Sequence, residues 1–408
     1  MTSPQALQDL TGLCKQTLKS NIVPTQAGHG LCAGGHQFRS LWTRDFCFSM
    51  KGLLLAGHQE VAKEHLTLIL KHVTEAGYVP RLLDVGYSGY QVVKSTLLRK
   101  LPLPNWRLDK SFKAEYYGEH ATLSFDSGLL VILALLEYEA YTGHTNLLIR
   151  FQDKVNFILD FYFRKLEGNL IFQPNYSDWQ DSAKRKGRTS FVNLLLAEVL
   201  DRFENSDNEQ IRQLDIPTLE LFARTNIDSK LIMKEIHQFF WKDGLLRSQE
   251  KGEQVSFDSN ALAFTFGVAE TLGVDYQRLK SSKLWLSGGL PGRSTAPNYH
   301  PKQISLTTKT VGLRHYHDEM IWSPLIGMAA QVAVLNGDLD EAGKILVAYQ
   351  RIATENQAIH EIYDLDLTPF ETAFYQSEHP FSWGAAEMLK AVDAYRKAVN
   401  QSNLKPST

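Results

Sequence analysis

A short polar connector at residues 175–190, NYSDWQDSAKRKGRTS, holds two carboxylates close to an indole. Asp178 and Asp181 lie on either side of Trp179. A carboxylic acid that keeps its proton can donate it, whereas an indole stacks on the apolar face of a sugar ring. Cleavage of a glycosidic bond needs two carboxyl groups whose environments separate their pKa values, so this connector is a candidate source of one. Either aspartate also suits a turn or a cap of the helix predicted at 189–204.

Five more connectors combine aromatic residues with carboxylates, arginine or histidine just before a predicted helix. They are FRSLWTRDF (38–46), YYGEHATLSFDS (116–127), HYHDEMIW (315–322), HEIYD (360–364) and SEHPFSW (377–383). Aromatic faces and polar side chains of this kind suit contacts with sugar rings and hydroxyls. With the first connector, the sugar-binding candidates are Trp42, Asp126, Asp178, Trp179, His317, Trp322 and Trp383. The alternative interpretation is structural: the tryptophans are core aromatics and the aspartates cap helices.

The elements that must position these connectors are helices. Helical periodicity recurs throughout and predicts about eleven or twelve helices, and no alternating run predicts a sheet. Segment 127–143 is apolar nearly all round and 60–77 is amphipathic, which indicates inner helices wrapped by outer ones. Single helices are predicted over 146–168 and 260–273. Six inner–outer pairs close a double ring, so the fold predicted is an all-α (α/α)6 barrel whose loops converge on one mouth.

Composition excludes several classes of protein. The chain has 408 residues, 43% of them hydrophobic, and a formal net charge of -2, which is typical of a globular protein without a polyanionic partner. The basic cluster KRKGR (184–188) is short and flanked by acids, which favours a solvated face over nucleic-acid binding. No signal-peptide pattern and no bilayer-spanning window occur, so we expect no membrane partner and a cytoplasmic location. No linker is evident, and residues 1–408 are expected to form one domain.

No metal or other cofactor is expected. His315 and His317 flank Tyr316 beside Asp318, but this spacing is not that of a metal site. The cysteines lack Cys-x-x-Cys spacing and are expected to be reduced, packed thiols. They are Cys14, Cys32 and Cys47. The sequence leaves the oligomeric state open.

Several long segments resemble one enzyme family. SLWTRDFCFSMKGLLLAGHQEVAKEHLTLILKHVTEAGYVPRLLD and SFDSGLLVILALLEYEAYTGH resemble the amylo-α-1,6-glucosidase domain of glycogen-debranching enzymes. DWQDSAKRKGRTSFVNLLLAEVL resembles that family's Trp-x-Asp segment, and HEIYDLDLTPFETAFYQSEHPFSWGAAEMLKAV resembles its closing segment. The resemblance covers most of residues 38–398 and extends more distantly to glucoamylase-like (α/α)6 glycoside hydrolases.

The resemblance implies which carboxyl groups react. The aspartate of the Trp-x-Asp segment is the general acid in that family, which points to Asp181 rather than Asp178. The matching base is a glutamate of the closing segment, which points to Glu361. Glu371 and Glu378 are rivals for that role in the same segment.

The resemblance also implies a substrate site and an activity. Arg44 and Asp45 of WTRD would hold sugar hydroxyls in the terminal subsite. The function predicted is an inverting, exo-acting glycoside hydrolase that removes a terminal, α-glucosyl-type residue from a small glycoside or an oligosaccharide. Two alternatives stay open: a sugar 2-epimerase that uses histidine acid/base pairs on the same barrel, and a catalytically silent carbohydrate-binding protein.

Overall fold

In a computed structural model, the chain is described at residues 4–84, 93–94, 113–285 and 289–404. The sequence also predicts long polar connectors at 78–122 and 286–317, and parts of both lie outside the described residues. The described part contains sixteen α-helices. They are α1 (Pro4–Asn21), α2 (Thr43–Leu55), α3 (Gln59–Lys71), α4 (Ser127–Thr142), α5 (Asn146–Arg150), α6 (Gln152–Phe163), α7 (Ser190–Glu204), α8 (Glu209–Arg212), α9 (Pro217–Arg224), α10 (Ser229–Phe240), α11 (Phe257–Thr265), α12 (Tyr276–Lys280), α13 (Leu306–Thr310), α14 (Ser323–Leu335), α15 (Leu339–Glu355) and α16 (Ser382–Leu404).

Six of these helices form a closed inner ring. Each of α2, α4, α7, α11, α14 and α16 packs against the next, and α16 returns to α2. Helix α4 shows why: every residue from Ser127 to Leu136 is buried, so the helix needs protein on all sides. The amphipathic helices α1, α3, α6, α10 and α15 pack outside this ring, and the short α12 follows α11 in the remaining hairpin. The prediction of an (α/α)6 barrel is confirmed.

Two helices have boundaries that differ from those predicted by the periodicity of the sequence. The helix predicted over 146–168 is divided at Phe151, which ends α5 and precedes α6. The helix predicted over 260–273 begins earlier, at Phe257, and ends at Thr265, after which the chain turns through Gly267 with a φ of +74°. Apolar periodicity continues across both breaks because the turns also bury side chains, and burial alone does not distinguish a turn from a helix.

Small sheets tie the connectors to the helices, although no sheet is predicted by the sequence. Strands of two to four residues form two- or three-stranded antiparallel sheets, too short for an alternating pattern to show. They are β1 (Ile22–Thr25), β2 (Gly28–Leu31), β3 (Leu41–Trp42), β4 (Leu82–Asp84), β5 (Lys113–Glu115), β6 (Leu166–Glu167), β7 (Leu170–Gln173), β8 (Gly187–Arg188), β9 (Trp241–Lys242), β10 (Leu245–Leu246), β11 (Val255–Ser256), β12 (Thr295–Ala296), β13 (Ile321–Trp322) and β14 (Ile362–Tyr363). Strands β3, β8, β11 and β13 lie just before inner helices, so the pairing fixes the loops at one end of the ring.

One apolar core extends from Leu7 to Tyr395 and includes residues from both rings. All three cysteines are buried in it, as expected of packed thiols. Within the described ranges, no helix combines the length and the apolar character that crossing a bilayer requires.

Two cavities lie within the inner ring. One, of about 320 Å³, is lined by residues from all six inner helices. The other lies among the loops that precede these helices. Phe48 lines the first cavity and stacks on Trp383, which lines the second, with ring centroids 4.6 Å apart and planes 13° apart. This aromatic pair therefore lies between the two cavities.

Glycine allows α16 to approach two inner helices closely. A Cβ on Gly52 of α2 would lie 2.5 Å from the Cα of Ala386, and one on Gly327 of α14 would lie 2.7 Å from the Cβ of Glu387. Real Cβ atoms do not approach so closely, so a side chain at either position would push the helices apart. The inner ring therefore depends on the absence of a side chain at these two sites.

We expect Gly52→Ala to lower the free energy of unfolding by about 1–3 kcal/mol, because the added methyl overpacks the α2–α16 contact. Gly12→Ala is the matched control: Gly12 lies exposed in α1 with no atom within 4 Å of its Cβ position. There the higher helix propensity of alanine should stabilise the protein by about 0.5–1 kcal/mol. Urea unfolding of both variants measures the two changes in the free energy of unfolding. Changes in the same direction would contradict this account.

Candidate active site

The second cavity, of about 240 Å³, brings together most of the residues that the sequence singles out. It is lined by segments that precede or begin inner helices, which explains why residues far apart in sequence meet there. The predicted residues that line it are Trp42, Arg44, Asp45, Trp179, Asp181, His317, Trp322, Glu361 and Trp383. Two predicted residues, Asp126 and Asp178, do not line it.

Asp181 faces the open part of the cavity, with 43% of its side chain exposed. Its Oδ2 lies 3.5 Å from Nη1 of Arg44, and its Oδ1 lies 3.9 Å from Nε2 of His317, which is too long for a hydrogen bond. Burial favours the neutral carboxyl, but His317 and the cationic Arg44 and Arg81 outweigh it and hold the pKa of Asp181 below its ordinary value. The carboxylate is therefore ionised in the free protein.

Glu361 is in a different environment and is only 2% exposed. Each of its carboxyl oxygens accepts a hydrogen bond from a tyrosine hydroxyl, Oε1 from Tyr316 and Oε2 from Tyr375, both at 2.5 Å. Burial raises the pKa of Glu361 to about 8, although the two hydroxyl donors act in the opposite direction. Its main-chain oxygen accepts a hydrogen bond from the amide of Ser323 at 2.9 Å, so the start of α14 positions it.

Asp126 acts on the cavity through Arg44. Its carboxylate is fully buried and accepts hydrogen bonds from Nε and Nη2 of Arg44 at 2.6 and 3.2 Å. Asp126 occupies the N-cap position of α4, as the cap interpretation predicts, but its side chain makes no capping hydrogen bond and binds Arg44 instead. The cap interpretation is wrong for Asp45, which lies in the first turn of α2 after the capping residue Trp42. Burial raises the pKa of Asp45 to about 7.

Asp178 belongs to a buried network outside the cavity. It lies 3.5 Å from Nη1 of Arg185 and accepts hydrogen bonds from Nε2 of Gln173 at 2.7 Å and the amide of Gln180 at 3.0 Å. Arg185 is fully buried, so the expectation of a solvated face is wrong for this member of KRKGR, whereas its neighbours Lys184 and Lys186 are exposed. A buried guanidinium needs a compensating charge, which Asp178 supplies.

Aromatic rings wall the cavity and are fixed by their polar atoms. Trp179 meets the rings of His317, Trp322 and Trp383 edge-on, and His317 stacks parallel to Trp322 with centroids 5.3 Å apart. The indole N–H groups of Trp179 and Trp322 donate to Asp258 and to the carbonyl oxygen of Tyr316. The core interpretation holds for Trp179, Trp322 and Trp383, which are buried and also line the cavity, and their contact with a sugar stays a prediction.

The two rivals of Glu361 lie elsewhere. Glu371 is exposed and does not line the cavity. Glu378 is buried, and its carboxylate accepts hydrogen bonds from the amides of His36 at 2.5 Å and Phe38 at 2.9 Å. It therefore holds the loop that leads to Trp42.

Three cavity residues have no role in the sequence analysis. Tyr316 lies in the quoted segment HYHDEMIW, where the flanking histidines draw attention away from it, and Tyr375 follows Glu361 by fourteen positions. Arg81 lies near the end of the first segment that resembles the debranching-enzyme family, but that resemblance gives it no role. No local spacing links these residues to the carboxyl groups, because they meet only when the loops converge.

Comparison with solved structures places the fold among known glycosidases. A wild-type glycosidase matches with a TM-score of 0.65 and 14% identity over 97% of this chain and 99% of that one. A metal-independent α-mannosidase of Streptococcus pneumoniae matches with a TM-score of 0.60 and 11% identity over 96% and 95%. A bacterial glucoamylase in complex with acarbose matches with a TM-score of 0.58 and 14% identity over 97% of this chain and 58% of that one.

At these identities the likeness establishes the six-hairpin fold of this chain and not its activity. No protein-family model matches the sequence, and no curated protein matches it either. The narrower resemblance to debranching enzymes stays a prediction. Among the residues that the structure describes, no group of three histidine, cysteine or acidic side chains is arranged to hold a metal ion.

We expect Asp178→Asn to lower the free energy of unfolding by about 3 kcal/mol, because it leaves the buried Arg185 without its closest counter-charge. Asp181→Asn is the matched control, since the same change at a partly exposed carboxylate should alter stability by less than about 1 kcal/mol. Chemical unfolding of both variants measures the difference. Equal stability of the two would mean that Asp178 does not compensate Arg185.

Proposed function

We propose that the protein is a glycoside hydrolase and that the whole chain acts as one catalytic domain. The observation that carries the proposal is the meeting of Asp181 and Glu361, which lie 180 positions apart, in one cavity walled by tryptophan. Their environments separate their pKa values, as acid–base cleavage of a glycoside requires. The fold shared with glycosidases supports the same class of reaction, although a fold alone does not define an activity.

The cavity suits an exo-acting enzyme on a small substrate. Its volume of about 240 Å³ lies just below the range of roughly 300–1,000 Å³ for drug-sized ligands. The stacked pair of Phe48 and Trp383 lies behind it, so a saccharide chain has no passage through the ring. A terminal sugar would stack on the tryptophans, and Arg44, held by Asp126, would donate hydrogen bonds to its hydroxyls. Asp45 would contact the same sugar.

In the mechanism we propose, Asp181 protonates the leaving oxygen and Glu361 deprotonates a water that attacks the opposite face of the ring. Inversion of this kind needs a space of roughly 6.5–9.5 Å between the carboxyl groups. Tyr316 and Tyr375 support the role of Glu361, because hydroxyl donors on both oxygens favour an ionised carboxylate and fix its direction.

In the free protein the proton is on the other carboxyl group from the one that the proposed mechanism requires. The pKa of Asp181 is below its ordinary value and that of Glu361 is raised to about 8, so at neutral pH the proton resides mainly on Glu361. The active pair also holds one proton, and the two arrangements differ only in which carboxyl carries it. A substrate that covers Asp181 removes water from a side chain that is 43% exposed, which raises its pKa towards that of a proton donor.

Asp181→Asn and Glu361→Gln should separate the two roles. On an alkyl glucoside both variants should lose several orders of magnitude in turnover, because each lacks one proton-transfer group. On α-glucosyl fluoride, whose leaving group needs no proton, only Asp181→Asn should keep substantial activity. Steady-state rates on both substrates measure this, and the reverse pattern would exchange the roles of acid and base.

Two further measurements on the same proteins test inversion. Proton NMR of the first product released by the wild type should show the anomer opposite to that of the substrate. Glu361→Ala should recover activity with azide, which occupies the vacated water site, and give a glycosyl azide of inverted configuration. A first product of retained configuration would exclude the inverting mechanism.

The pH dependence of kcat/KM should report the same pair. We expect kcat/KM of the wild type to fall as pH rises through about 8, because the pair then loses its single proton. Asp181→Asn on α-glucosyl fluoride should behave oppositely: it needs only the ionised base, so its rate should rise through pH 8 and reach a plateau. Initial rates measured across this pH range give both profiles. A rate of Asp181→Asn that falls as pH rises would argue against Glu361 as the base.

One observation keeps the epimerase as the second candidate. His317 lines the cavity, is 1% exposed, and neither of its ring nitrogens has a hydrogen-bond partner among the described residues. A neutral, unpartnered imidazole is a possible acid/base group. Incubation with free hexoses separates the two functions, because interconversion supports the epimerase and release of aglycone supports the hydrolase. Binding of sugars without turnover would instead support a silent carbohydrate-binding protein.

A further inference from the structure

A second arginine, Arg81, lines the proposed active site, where the carboxylates of Asp181, Glu115 and Glu119 attract it from a distance. The Cζ of Arg81 lies 4.7 Å from the centroid of the Trp42 ring, on the wall of the cavity. Within the described part of the chain, its guanidinium forms no hydrogen bond and no ion pair. Arg44, in the same cavity, differs because two of its nitrogens donate to Asp126.

The main chain holds Arg81 firmly in this place. Its amide donates to the carbonyl oxygen of Glu115 at 2.7 Å, and its own carbonyl oxygen accepts from the amide of Thr43 at 3.0 Å. Space beside the side chain is also maintained, since a Cβ on Gly118 would lie 3.2 Å from Nη1 of Arg81. The guanidinium is therefore pre-positioned by the start of α2 and by the strand β5, with one face covered by an indole.

Arg81 lies on the side of the cavity where the leaving group of a glycoside must be. The floor is formed by Trp179, Trp322 and Trp383, which are 3–4% exposed and would cover the terminal sugar. The neighbours of Arg81 instead include the rim segment 118–122, where Glu119 is exposed. In an exo-acting enzyme the terminal sugar occupies the closed end and the leaving group extends towards the opening.

We propose that Arg81 binds an oxyanion on the leaving group, so that the substrates of this protein are glycosides whose aglycone carries a carboxylate or a phosphate. This inference rests on the proposed function and names the substrate class of the same site. A guanidinium fork matches the two oxygens of such a group, and a partly buried cation without a partner gains most from one.

The same anion would assist the proposed acid. Asp181 and Arg81 line the same cavity, and among the carboxylates that attract Arg81, Asp181 acts more strongly than Glu115 and Glu119. When Asp181 carries the proton that it must donate, this attraction disappears, and only the weaker attraction of Glu115 and Glu119 is left to the cation. An anion bound at Arg81 restores the balance, and as a like charge near Asp181 it raises the pKa of that carboxyl. Substrate binding would then shift the proton from Glu361, where it resides in the free protein, to Asp181.

The test compares 4-carboxyphenyl, 4-phosphonophenyl and 4-carbamoylphenyl glycosides, prepared as α-glucosides and α-mannosides. Values of kcat/KM and the affinities of the S-linked analogues are measured for the wild type, Arg81→Met, Arg81→Lys and the control Arg224→Met. Arg224 is 76% exposed in a surface pair with Glu220, so its change removes a charge without touching the cavity. Melting temperatures check that each variant is folded.

The wild type and Arg224→Met should favour the anionic glycosides over the carboxamide by on the order of 10- to 100-fold, and this ratio should fall to near one in Arg81→Met. Arg81→Lys should keep part of it, because it retains the charge and loses the fork. Preference for one anion distinguishes carboxylate from phosphate. Hydrolysis of the carboxamide without anion preference, or a preference unchanged in Arg81→Met, overturns this inference alone. If no glycoside is bound or cleaved, the proposed function fails with it.

Discussion

The structure depends on one constraint: helices that are apolar on every face must be covered on every face. A helix such as α4, buried on all sides through its first ten residues, cannot lie at a surface. The six inner helices cover one another around a common axis, and an amphipathic outer ring covers their backs. Once the rings close, the loops before the inner helices are forced to one end. The cavity is a consequence of that convergence.

Close packing limits how this ring can be built. Gly52 and Gly327 lie where α16 meets its neighbours, and the chain has no room for a methyl group at either contact. The short strands fix the loops at one end of the ring, which helix packing alone would leave free. Rigid helices and tied loops together bring carboxyl groups from distant segments, such as Asp181 and Glu361, to one cavity.

The site contains charges in two different arrangements. Pairs such as Arg44 with Asp126 and Arg185 with Asp178 are buried and mutually compensated, and they position neighbouring groups. Asp181 and Arg81 face the cavity with longer-range partners only, so a ligand can alter their balance. Residues of the first kind fix the geometry, whereas residues of the second kind are open to a ligand in the cavity.

The sequence alone determined the all-helical double ring, because the contrast between apolar and amphipathic helices is a local pattern that survives in the fold. It also determined which connectors meet, and most of the predicted residues do line one cavity. Only the tertiary structure decided what each carboxylate does there. Asp178 and Asp181 look alike in the sequence, yet one compensates a buried arginine and the other faces the cavity. Tyr375 and Arg81 lie in segments that the resemblance covers, yet the sequence gives them no role, because burial, hydrogen bonding and counter-charge arise from segments that are adjacent in space and remote along the chain.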